Sequence, residues 1–541
     1  MHAWAKMRRL SACLTVGYGL GASPVLAAAA DAPPAQQPGN AAASVPAPHF
    51  DIFEYVVDGN TVLSVTEIEA AVYPFLGENR TAADVDKARD ALERVYRERG
   101  FQTVQVSIPQ QRVESKIIHF QVAQNPVGRL RVVDSKYHGL EEIKKTAPSL
   151  AEGTVPNLNQ VQKDIVALNQ SQDMKVTPRL KAGQVPGTVD VDLQVEDQLP
   201  LHASLEINNQ HNQKTSELRT IATVSYDNLW QLGHSASFTY QTAPENKEDA
   251  EVFSLSYLAR VPRSDWMFLA YLVKSNSAVA ALPNTDVIGK GTIFGGRAIL
   301  NLPGSDTFYE SLSIGLDRKN LTQNVVTGGT PSDTPVLYYP VSVAYSPTWR
   351  NGDGVTQASV SLNFALPGLG SDSGEFDAQR FNALRQYFYF KAEASTTQPF
   401  VANSVIFAKV QGQVASTPLL SSEQMSAGGA NTVRGYLEAE RIGDNGYVST
   451  LEWRSPPLLP QTFSFLKEWR ALVFADAGLL KVNQPLPGEQ SQFSLVDVGL
   501  GTRFSFLDTL NGSVDLAFPL ISGTATRATN PHLHFRFWAG L

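Results

Sequence analysis

The chain has 541 residues, with 44 Lys and Arg against 52 Asp and Glu, and its formal net charge is −8. An acidic chain without a basic patch argues against nucleic-acid binding, and a single cysteine, Cys13, excludes a framework of disulfides or thiolate metal ligands. Beyond the N-terminus, no apolar run approaches the roughly 18 residues that a membrane helix needs. If the chain spans a membrane, it must therefore do so as a β-barrel.

The N-terminus has the order of a secretory signal peptide. Basic residues at positions 6, 8 and 9 precede an apolar run, Leu10–Leu26, and the small residues Ala27–Ala30 follow it. We therefore predict that residues 1–30 are a signal peptide. Residues 31–48 are rich in Ala, Pro and Gln and poor in bulky apolar side chains, which predicts a flexible leader.

Two similar segments, residues 49–123 and 124–198, follow the leader, and each predicts the order β-α-α-β-β. The elements predicted in the first are a strand at Ile52–Val57, a short helix opened by a capping box at Ser64–Glu67, a longer helix at Thr81–Arg99, and strands at Phe101–Ile108 and Lys116–Val122. The elements predicted in the second are strands at Val127–Val133, Met174–Leu180 and Thr188–Val195, with a short helix from Leu140.

An apolar stripe supports a tandem repeat. The stripe of the longer helix falls at Val85, Ala88, Leu92 and Val95, as one buried helical face requires. The same spacing returns 73 positions later, at Leu158, Val161, Ile165 and Leu168. The alternative is one mixed α/β domain with a coincidental spacing, and the four matching positions favour the repeat.

The first segment contains three short sequence motifs that are typical of a known domain family: Gly59-Asn60-Thr61, Tyr96-Arg97-Glu98-Arg99-Gly100-Phe101 and Ile108-Pro109-Gln110-Gln111. It resembles the first polypeptide-transport-associated (POTRA) domain of two-partner secretion transporters, and the second segment is similar to their second POTRA domain. The resemblance implies periplasmic modules that hold a client chain, for which an exposed sheet edge is a suitable surface. The alternative is that both modules are spacers.

Residues 199–541 have the sequence pattern of an outer-membrane barrel. Alternating segments such as Tyr387–Ala394 are separated by Gly, Pro, Asn and Asp, and about 9–11 residues per spanning strand predict roughly sixteen strands. An even number returns both termini to the periplasm. The predicted fold is therefore a pair of α+β POTRA repeats followed by an all-β transmembrane barrel of about sixteen antiparallel strands.

Two motifs in the barrel segment carry the candidate site. Gly428-Gly429 and Val433-Arg434-Gly435-Tyr436 come first, and Phe474-Ala475-Asp476-Ala477-Gly478 follows about one hairpin later. The first motif resembles the tip of the long extracellular loop that folds back into the barrel of these transporters. The resemblance implies that Asp476 projects from the wall and binds Arg434, while Gly435 and Gly478 leave room for the backbones to approach. The alternative is an ordinary lumen carboxylate and a solvated loop cation.

Other kinds of site receive no support. Gly428-Gly429 lacks the Gly-Lys-Ser/Thr ending of a phosphate loop, and no Gly-x-Ser-x-Gly elbow is present. His532 and His534 share one face of a predicted strand, but two histidines without a third ligand do not make a metal site. We therefore predict no catalysis, no cofactor and no metal.

The sequence is thus identified as a member of the two-partner secretion transporters, the group that includes haemolysin and filamentous haemagglutinin exporters. This implies an outer-membrane protein whose partners are a secreted exoprotein client, outer-membrane lipids and, during biogenesis, the barrel-assembly machinery. Two alternatives remain open: an assembly factor of the same superfamily, and a passive porin-like channel. Some family members carry an N-terminal plug helix, which the prolines of residues 31–48 disfavour.

Overall fold

The computed structural model describes residues 48–541 except 263, 278, 283–284, 289, 306, 328–329, 367, 460–464 and 508. The predicted signal peptide and all but the last residue of the predicted leader lie outside the described residues. The chain divides into two compact units, Met1–Leu199 and Pro200–Leu541. In the described part of the chain, no helix is long and apolar enough to cross a membrane.

The first unit begins with a small α+β domain. Its elements are β1 (Phe50–Ile52), β2 (Glu54–Asp58), α1 (Val65–Val72), β3 (Gly77–Arg80), α2 (Ala82–Glu98), β4 (Gln105–Ser107) and β5 (Ile117–Ala123). The sheet has the order β2-β5-β4, with β2 parallel and β4 antiparallel to the central β5, and β1 pairs separately with β3.

Local sequence explains the helices of this domain. Ser64 and Glu67 form the predicted capping box at the start of α1, and Thr81 caps α2 together with Asp84. The predicted stripe residues Val85, Ala88 and Leu92 are buried. In the last turn of the helix, Tyr96 is fully buried, whereas the predicted Val95 is only partly buried against the same core.

Two predicted strands differ from the structure. The strand predicted at Phe101–Ile108 is confined to β4, because the Phe101 amide donates to the Tyr96 carbonyl and the Val104 amide donates to the Phe101 carbonyl, which makes a turn after α2. The single strand predicted at Ile52–Val57 is divided at Phe53, whose amide donates to the carbonyl of Lys116.

A second α+β domain completes the first unit. Its elements are β6 (Val127–Val133), α3 (Leu140–Thr146), α4 (Leu158–Leu168), β7 (Met174–Ala182) and β8 (Val189–Asp197). The sheet order is β6-β8-β7, so both β6 and β7 are edge strands. Val161 and Leu168 of α4 are buried, and Ile165 packs against the same core. Apart from the separate β1–β3 pair of the first domain, the order β-α-α-β-β therefore occurs twice.

The second unit is a closed antiparallel barrel. The strands of this unit are β9 (Leu201–Asn208), β10 (Arg219–Leu229), β11 (His234–Thr242), β12 (Glu251–Arg260), β13 (Trp266–Ser275), β14 (Val279–Leu282), β15 (Thr285–Ile288), β16 (Lys290–Leu302), β17 (Phe308–Thr327), β18 (Thr330–Tyr338), β19 (Pro340–Asn351), β20 (Gly354–Ala365), β21 (Phe388–Pro399), β22 (Val405–Ala415), β23 (Met425–Ala427), β24 (Arg441–Gly443), β25 (Asn445–Arg454), β26 (Leu466–Lys481), β27 (Gln492–Phe506), β28 (Leu510–Pro519) and β29 (His532–Gly540).

The wall has sixteen strand positions, which confirms the predicted fold class. β18 and β19 both pair with the long β17 and so occupy one position, while the hairpins β14–β15 and β23–β24 lie outside the wall order. β29 pairs with β9 and closes the barrel. A helix, α5 (Ser373–Gln379), lies in the connection between β20 and β21.

Alternation along each strand separates the two faces of the wall, as an outer-membrane barrel requires. In β27, Val498 and Leu500 are exposed on the outside. Asp497, Gly499 and Gly501 fall on the opposite face, toward the lumen, where Asp497 is buried. The wall carboxylates Glu452, Asp476, Asp497 and Asp515 of the candidate site lie on this inner face.

Candidate functional site in the barrel lumen

The candidate site is built by one long connection, residues 416–444, between β22 and β25. The connection leaves the barrel at the end where β9 ends, because β22 and β9 run in the same direction in the antiparallel wall. The hairpin β23–β24 forms its stem, with Met425 opposite Gly443 and Ala427 opposite Arg441. We call residues 428–440 the loop tip.

Two glycines allow the chain to turn from stem to tip. Gly428 and Gly429 have φ of 105° and 106°, a conformation that side chains with a Cβ avoid. A Cβ on Gly428 would lie 2.4 Å from the Leu437 carbonyl oxygen, and one on Gly429 would lie 2.1 Å from a Glu438 carboxylate oxygen. The predicted Gly428-Gly429 motif therefore has a steric reason.

Arg434 lies at the centre of the loop tip and is almost fully buried. Its Nε and Nη2 donate to the two carboxylate oxygens of Asp476 at 2.8 and 3.1 Å, and its backbone amide donates to the same carboxylate at 3.2 Å. The side chain of Asp476 has no exposed surface. The structure thus brings together the two residues that the resemblance paired, in the bidentate geometry that arginine and carboxylate favour.

Further charges surround the same guanidinium. Nη1 of Arg434 donates to Glu452 at 2.8 Å and lies 3.8 Å from Asp515. Arg454 pairs with Glu452, and Arg503 binds Asp515 through both terminal nitrogens at 2.5 and 2.7 Å. The pair predicted from sequence is therefore part of a buried network of arginines and carboxylates.

An aromatic ring supports Arg434 from its other side. The guanidinium carbon lies 3.4 Å from the ring centre of Phe474, which is a cation–π contact. A Cβ on Gly499 would lie 2.2 Å from Cζ of Phe474, so the absence of a side chain at Gly499 makes room for this ring. Phe474 of the predicted wall motif is thus a direct partner of Arg434.

The glycines and Val433 bring the loop tip close to the wall. The Gly435 amide donates to Asp497 at 2.6 Å, and a Cβ on Gly435 would lie 2.8 Å from the Asp497 Cβ. A Cβ on Gly478 would lie 3.2 Å from Val433, which is fully buried. Gly435 therefore leaves room for the barrel wall and Gly478 leaves room for the loop tip, as the resemblance implied.

Tyr436 and the carbonyl of Arg434 extend the attachment to the last strands. The Tyr436 hydroxyl donates to the Ile521 carbonyl at 2.7 Å and accepts from the Val496 amide at 3.2 Å. Nε2 of His534 donates to the Arg434 carbonyl at 2.8 Å. Arg434 and Gly435 together thus contact polar or charged side chains from five successive wall strands: Glu452 of β25, Asp476 of β26, Asp497 of β27, Asp515 of β28 and His534 of β29.

The stem has its own buried anchor at Asp444. Arg380, at the end of α5, donates to its two oxygens at 2.8 and 3.1 Å, and the amides of Leu419 and Asn483 donate to it at 2.8 and 2.6 Å. Asp444 is fully buried. It therefore joins the stem to two other connections at the same end of the barrel.

A second anchor of the stem is Glu423. Its carboxylate accepts from the hydroxyls of Tyr338 and Tyr389 at 2.7 and 2.8 Å and pairs with Lys319 at 2.6 Å. These three partners belong to the wall strands β17, β18 and β21, which are separate from the strands β25 to β29 that hold the loop tip. Sequence reasoning missed Asp444 and Glu423.

Sequence reasoning also missed Asp497 and Asp515, although a signal was present. Val496-Asp497-Val498-Gly499 repeats the pattern of Ala475-Asp476-Ala477-Gly478, and Val514-Asp515-Leu516-Ala517 is a third variant. Asp476 and Asp497 lie directly opposite each other in the sheet. A search for this repeated pattern would have found all three carboxylates.

Comparisons with known proteins agree with this architecture. The family model described as haemolysin secretion/activation protein ShlB/FhaC/HecB matches residues 187–504, and the model of the ShlB-type POTRA domain matches residues 50–124. The chain is 21% identical over 444 residues to the outer membrane transporter CdiB of Dickeya dadantii (78% of this chain, 75% of that protein). It is 20% identical over 480 residues to the heme/hemopexin transporter protein HuxB of Haemophilus influenzae (86% and 82%).

The fold is shared with a solved structure. CdiB from Escherichia coli superposes with a TM-score of 0.65 at 18% identity, covering 93% of this chain and 92% of that one. Since the family model matches more than half of the chain and a POTRA domain precedes the closed barrel, the chain belongs to the haemolysin secretion/activation protein family ShlB/FhaC/HecB, the two-partner secretion transporters of the outer membrane.

Proposed function

We propose that this transporter takes an unfolded exoprotein at its periplasmic POTRA domains and passes it through the barrel, with Arg434 and Asp476 latching the loop inside the lumen. The family's barrel lies in the outer membrane and its POTRA domains lie in the periplasm. The observation that carries the latch is the buried bidentate pair, in which Asp476 has no exposed surface.

Arg434 and Asp476 can act as a latch because separating them costs free energy. Removing one partner of a largely desolvated ion pair costs about 3–5 kcal/mol, because the other charge is left buried and uncompensated. If the loop withdrew, Asp476 would lose its cation, whereas Glu452 would keep Arg454 and Arg503 nearby. The pair can therefore hold a loop in a pore without a covalent bond, and separating it is a defined step for opening.

The client-binding part of the proposal concerns an edge strand of the second POTRA domain. β7 pairs only with β8 among the described strands, and the part of its other edge beyond Val176, which the Asn169 side chain occupies, can accept an extended chain. The Val176 amide points away from β8, toward the Asn169 side chain, and alternation gives Leu180 the same outward direction. Pro178 already lacks an amide proton on that edge.

A proline at Leu180 tests this edge. Leu180→Pro removes an outward amide proton and leaves the ladder to β8 intact, so we expect export to fall several-fold while the barrel assembles normally. Leu180→Ala is the matched control, because it removes the same side chain and keeps the amide. Equal export from both variants would show that β7 does not receive the client by strand addition.

The proposed function involves no catalysis and two further partners. We propose that the protein is not an enzyme and that it needs no cofactor for export. We also propose that the outer face of the wall contacts outer-membrane lipids and that the barrel-assembly machinery inserts the chain. The periplasm supplies no ATP, so the driving force in this proposal is folding of the client outside the cell.

The test is made in the native host. Proteins of the culture supernatant and cell surface are compared with and without the gene, and then after complementation with Arg434→Ala. We expect one exoprotein to disappear with the gene, to return with the wild type and to stay absent with Arg434→Ala. Arg527→Ala, at an exposed arginine of another connection at the same barrel end, is the control and should restore export.

Other outcomes distinguish the alternatives. Heat-modifiable migration in gels shows whether each barrel is folded, and normal export from folded Arg434→Ala would refute the latch. A general fall in outer-membrane barrels on loss of the gene would indicate an assembly factor. An unchanged set of exported proteins, with selective conductance of small solutes, would indicate a passive channel.

A further inference from the structure

The wall carries a group of exposed cations near the end where β9 ends. Lys274 of β13, Lys290 of β16 and Arg318 of β17 are all exposed. In the part of the chain that the structure describes, none of the three forms an ion pair with a carboxylate. Glu251, on the neighbouring β12, instead accepts from the Tyr240 hydroxyl at 3.1 Å. These cations therefore carry charge that the protein leaves uncompensated.

Alternation along the strands directs these side chains away from the lumen. Every second residue of a strand lies on the same face of its sheet. Lys274 lies two positions from the exposed Leu272, and Arg318 lies two positions from the exposed Leu316. Asp317, next to Arg318, is buried on the lumen face. The cations thus share the outer face of the wall with exposed apolar side chains.

Strand register places the three cations in one group, which we call the basic patch. Lys274 lies opposite Thr292 of β16, and Arg318 lies opposite Phe294 of the same strand. Lys290 is two residues from Thr292 and shares its face. With about 4.8 Å between strands and about 3.3 Å per residue, the Cα atoms of Lys290 and Arg318 are about 14 Å apart. Lys274 lies at an intermediate height on the other side of β16.

The basic patch lies at the extracellular boundary of the apolar band. β9 begins directly after the POTRA domains, which lie in the periplasm in this family, so it ends at the extracellular side. On the periplasmic side of the patch, the outward residues Leu272, Phe294, Leu316 and Ile314 are apolar and exposed. Cations on the lipid face are costly at the midplane of the bilayer and cheap near its interfaces. The patch is therefore at the height of the headgroups of the outer leaflet.

An apolar groove of about 490 Å³ lies in the same outer face, on the periplasmic side of the patch. The small residues Ala270, Gly296 and Ala298 form its floor, and bulkier side chains such as Leu316 form its sides. Leu316 is two residues from Arg318 of the patch. A Cβ on Gly296 would meet no atom of a neighbouring strand closer than 3.9 Å, so the wall itself leaves this space open.

We propose that the basic patch and the groove bind a phosphorylated glycolipid of the outer leaflet, of the lipid A class. Lys274, Lys290 and Arg318 contact its phosphates, and one acyl chain occupies the groove. Basic clusters at a membrane surface bind phosphorylated headgroups, and arginine and phosphate form strong charge-assisted hydrogen bonds. Cations spread over about 14 Å suit a bis-phosphorylated headgroup better than the single phosphate of a glycerophospholipid.

This site rests on the lipid contact of the outer face that is part of the proposed function. It does not depend on the latch or on any client, because the basic patch and the groove face away from the lumen.

Native mass spectrometry of the full chain in detergent provides the test. Bis-phosphorylated lipid A is titrated against the wild type, and we expect one tightly bound molecule per barrel. Lys274→Gln combined with Arg318→Gln should weaken binding roughly tenfold or more, because charge-assisted contacts with phosphate are lost. Lys481→Gln, at an exposed cation at the same end of the wall on β26, is the matched control and should bind normally.

Gly296→Leu tests the groove. The new side chain would occupy the groove without meeting a neighbouring strand, so we expect lipid A binding to weaken several-fold while the barrel still folds. Gly412→Leu is the matched control. It changes an outward glycine of β22, whose Cβ would meet no atom of a neighbouring strand closer than 3.4 Å. Heat-modifiable migration establishes that each variant is folded.

Several results would overturn the lipid site. One is a wild type that binds no lipid A, and another is equal binding by the double variant and Lys481→Gln. Equal affinity for phosphatidylglycerol, which has a single phosphate, would exclude lipid A as the preferred ligand. Displacement of lipid A by inorganic phosphate would indicate a simple anion site without a role for the groove. None of these measurements depends on export, so loss of this site is distinguishable from failure of the latch.

Discussion

The tip and the stem of the loop are both held by buried charges, but their partners differ in kind. Arg434 and Gly435 of the tip contact side chains of five successive wall strands, β25 to β29. Asp444 of the stem is bound by Arg380 and Asn483, which belong to two other connections. The wall is rigid, whereas connections can move at lower cost. Arg434 and Gly435 are therefore fixed to the wall of the pore, whereas Asp444 is fixed to neighbouring connections; the second stem anchor, Glu423, binds the wall.

This difference suggests an order of release. Movement of the α5 connection can separate Arg380 from Asp444 while Arg434 keeps its contacts with the wall. Withdrawal of the tip instead requires that Arg434 leave three carboxylates together. We propose that the stem controls access from outside and that the tip controls passage through the lumen. Three sets of substitutions test this division.

The largest effect is expected from exchanging the charges of the central pair, Arg434→Asp with Asp476→Arg. An isolated ion pair would survive the exchange. Here the new aspartate would face Glu452 and Asp515, so we expect export to stay at the background level of Arg434→Ala. The two single substitutions are the controls, and restored export in the double variant would mean that the surrounding carboxylates do not hold the tip.

An intermediate effect is expected from Asp444→Asn in the stem. The change leaves Arg380, which is 16% exposed, without its carboxylate, at a cost on the order of 3 kcal/mol. We expect channel openings in planar bilayers to become at least tenfold more frequent, since about 1.4 kcal/mol corresponds to a factor of ten. Export should fall less than in Arg434→Ala.

The control for the stem is Asp353→Asn, at an exposed turn of the opposite barrel end. It removes the same charge from the protein without touching the loop. If Asp444→Asn abolishes export as completely as Arg434→Ala, or leaves channel openings unchanged, the stem and the tip do not have separate roles.

The smallest effect is expected from Gly499→Ala. The new methyl group would meet the Phe474 ring, and such overpacking costs about 1–3 kcal/mol. Displacement of the ring weakens the platform under Arg434 without removing a charge, so we expect partial loss of export. Gly512→Ala is a matched control, because its Cβ would meet Phe504 on the outer face of the sheet. Equal effects of the two variants would point to barrel stability and not to the loop.

Local features of the fold were predictable from the sequence. The capping box at Ser64 and Glu67 depends on residues three positions apart, and the stripe of Val85, Ala88 and Leu92 depends on helical periodicity. Periodicity could not place the end of the stripe, because Tyr96 reaches Asn60 with its hydroxyl, a contact between residues distant in sequence. The extent of β4 was missed for a related reason, since a turn after α2 uses the amides that a longer strand would need.

The candidate site was predictable only in part. Arg434 and Asp476 were paired through family resemblance, whereas Glu452, Asp497 and Asp515 came from the structure. No local rule connects these residues with Arg434, because their positions depend on strand register and on the depth to which the loop enters the barrel. The role of Phe474 as a platform likewise depends on a glycine, Gly499, in the next strand.

The order of the domains, the approximate number of barrel strands and the similarity to a known family could be read from the sequence, because each follows from periodicity, length or a short motif. Only the folded chain shows which charges surround Arg434 and which connections meet at Asp444. Those contacts join residues that are far apart in sequence. Closure of the barrel and entry of the loop bring these residues together, and a local sequence pattern contains no information about either event.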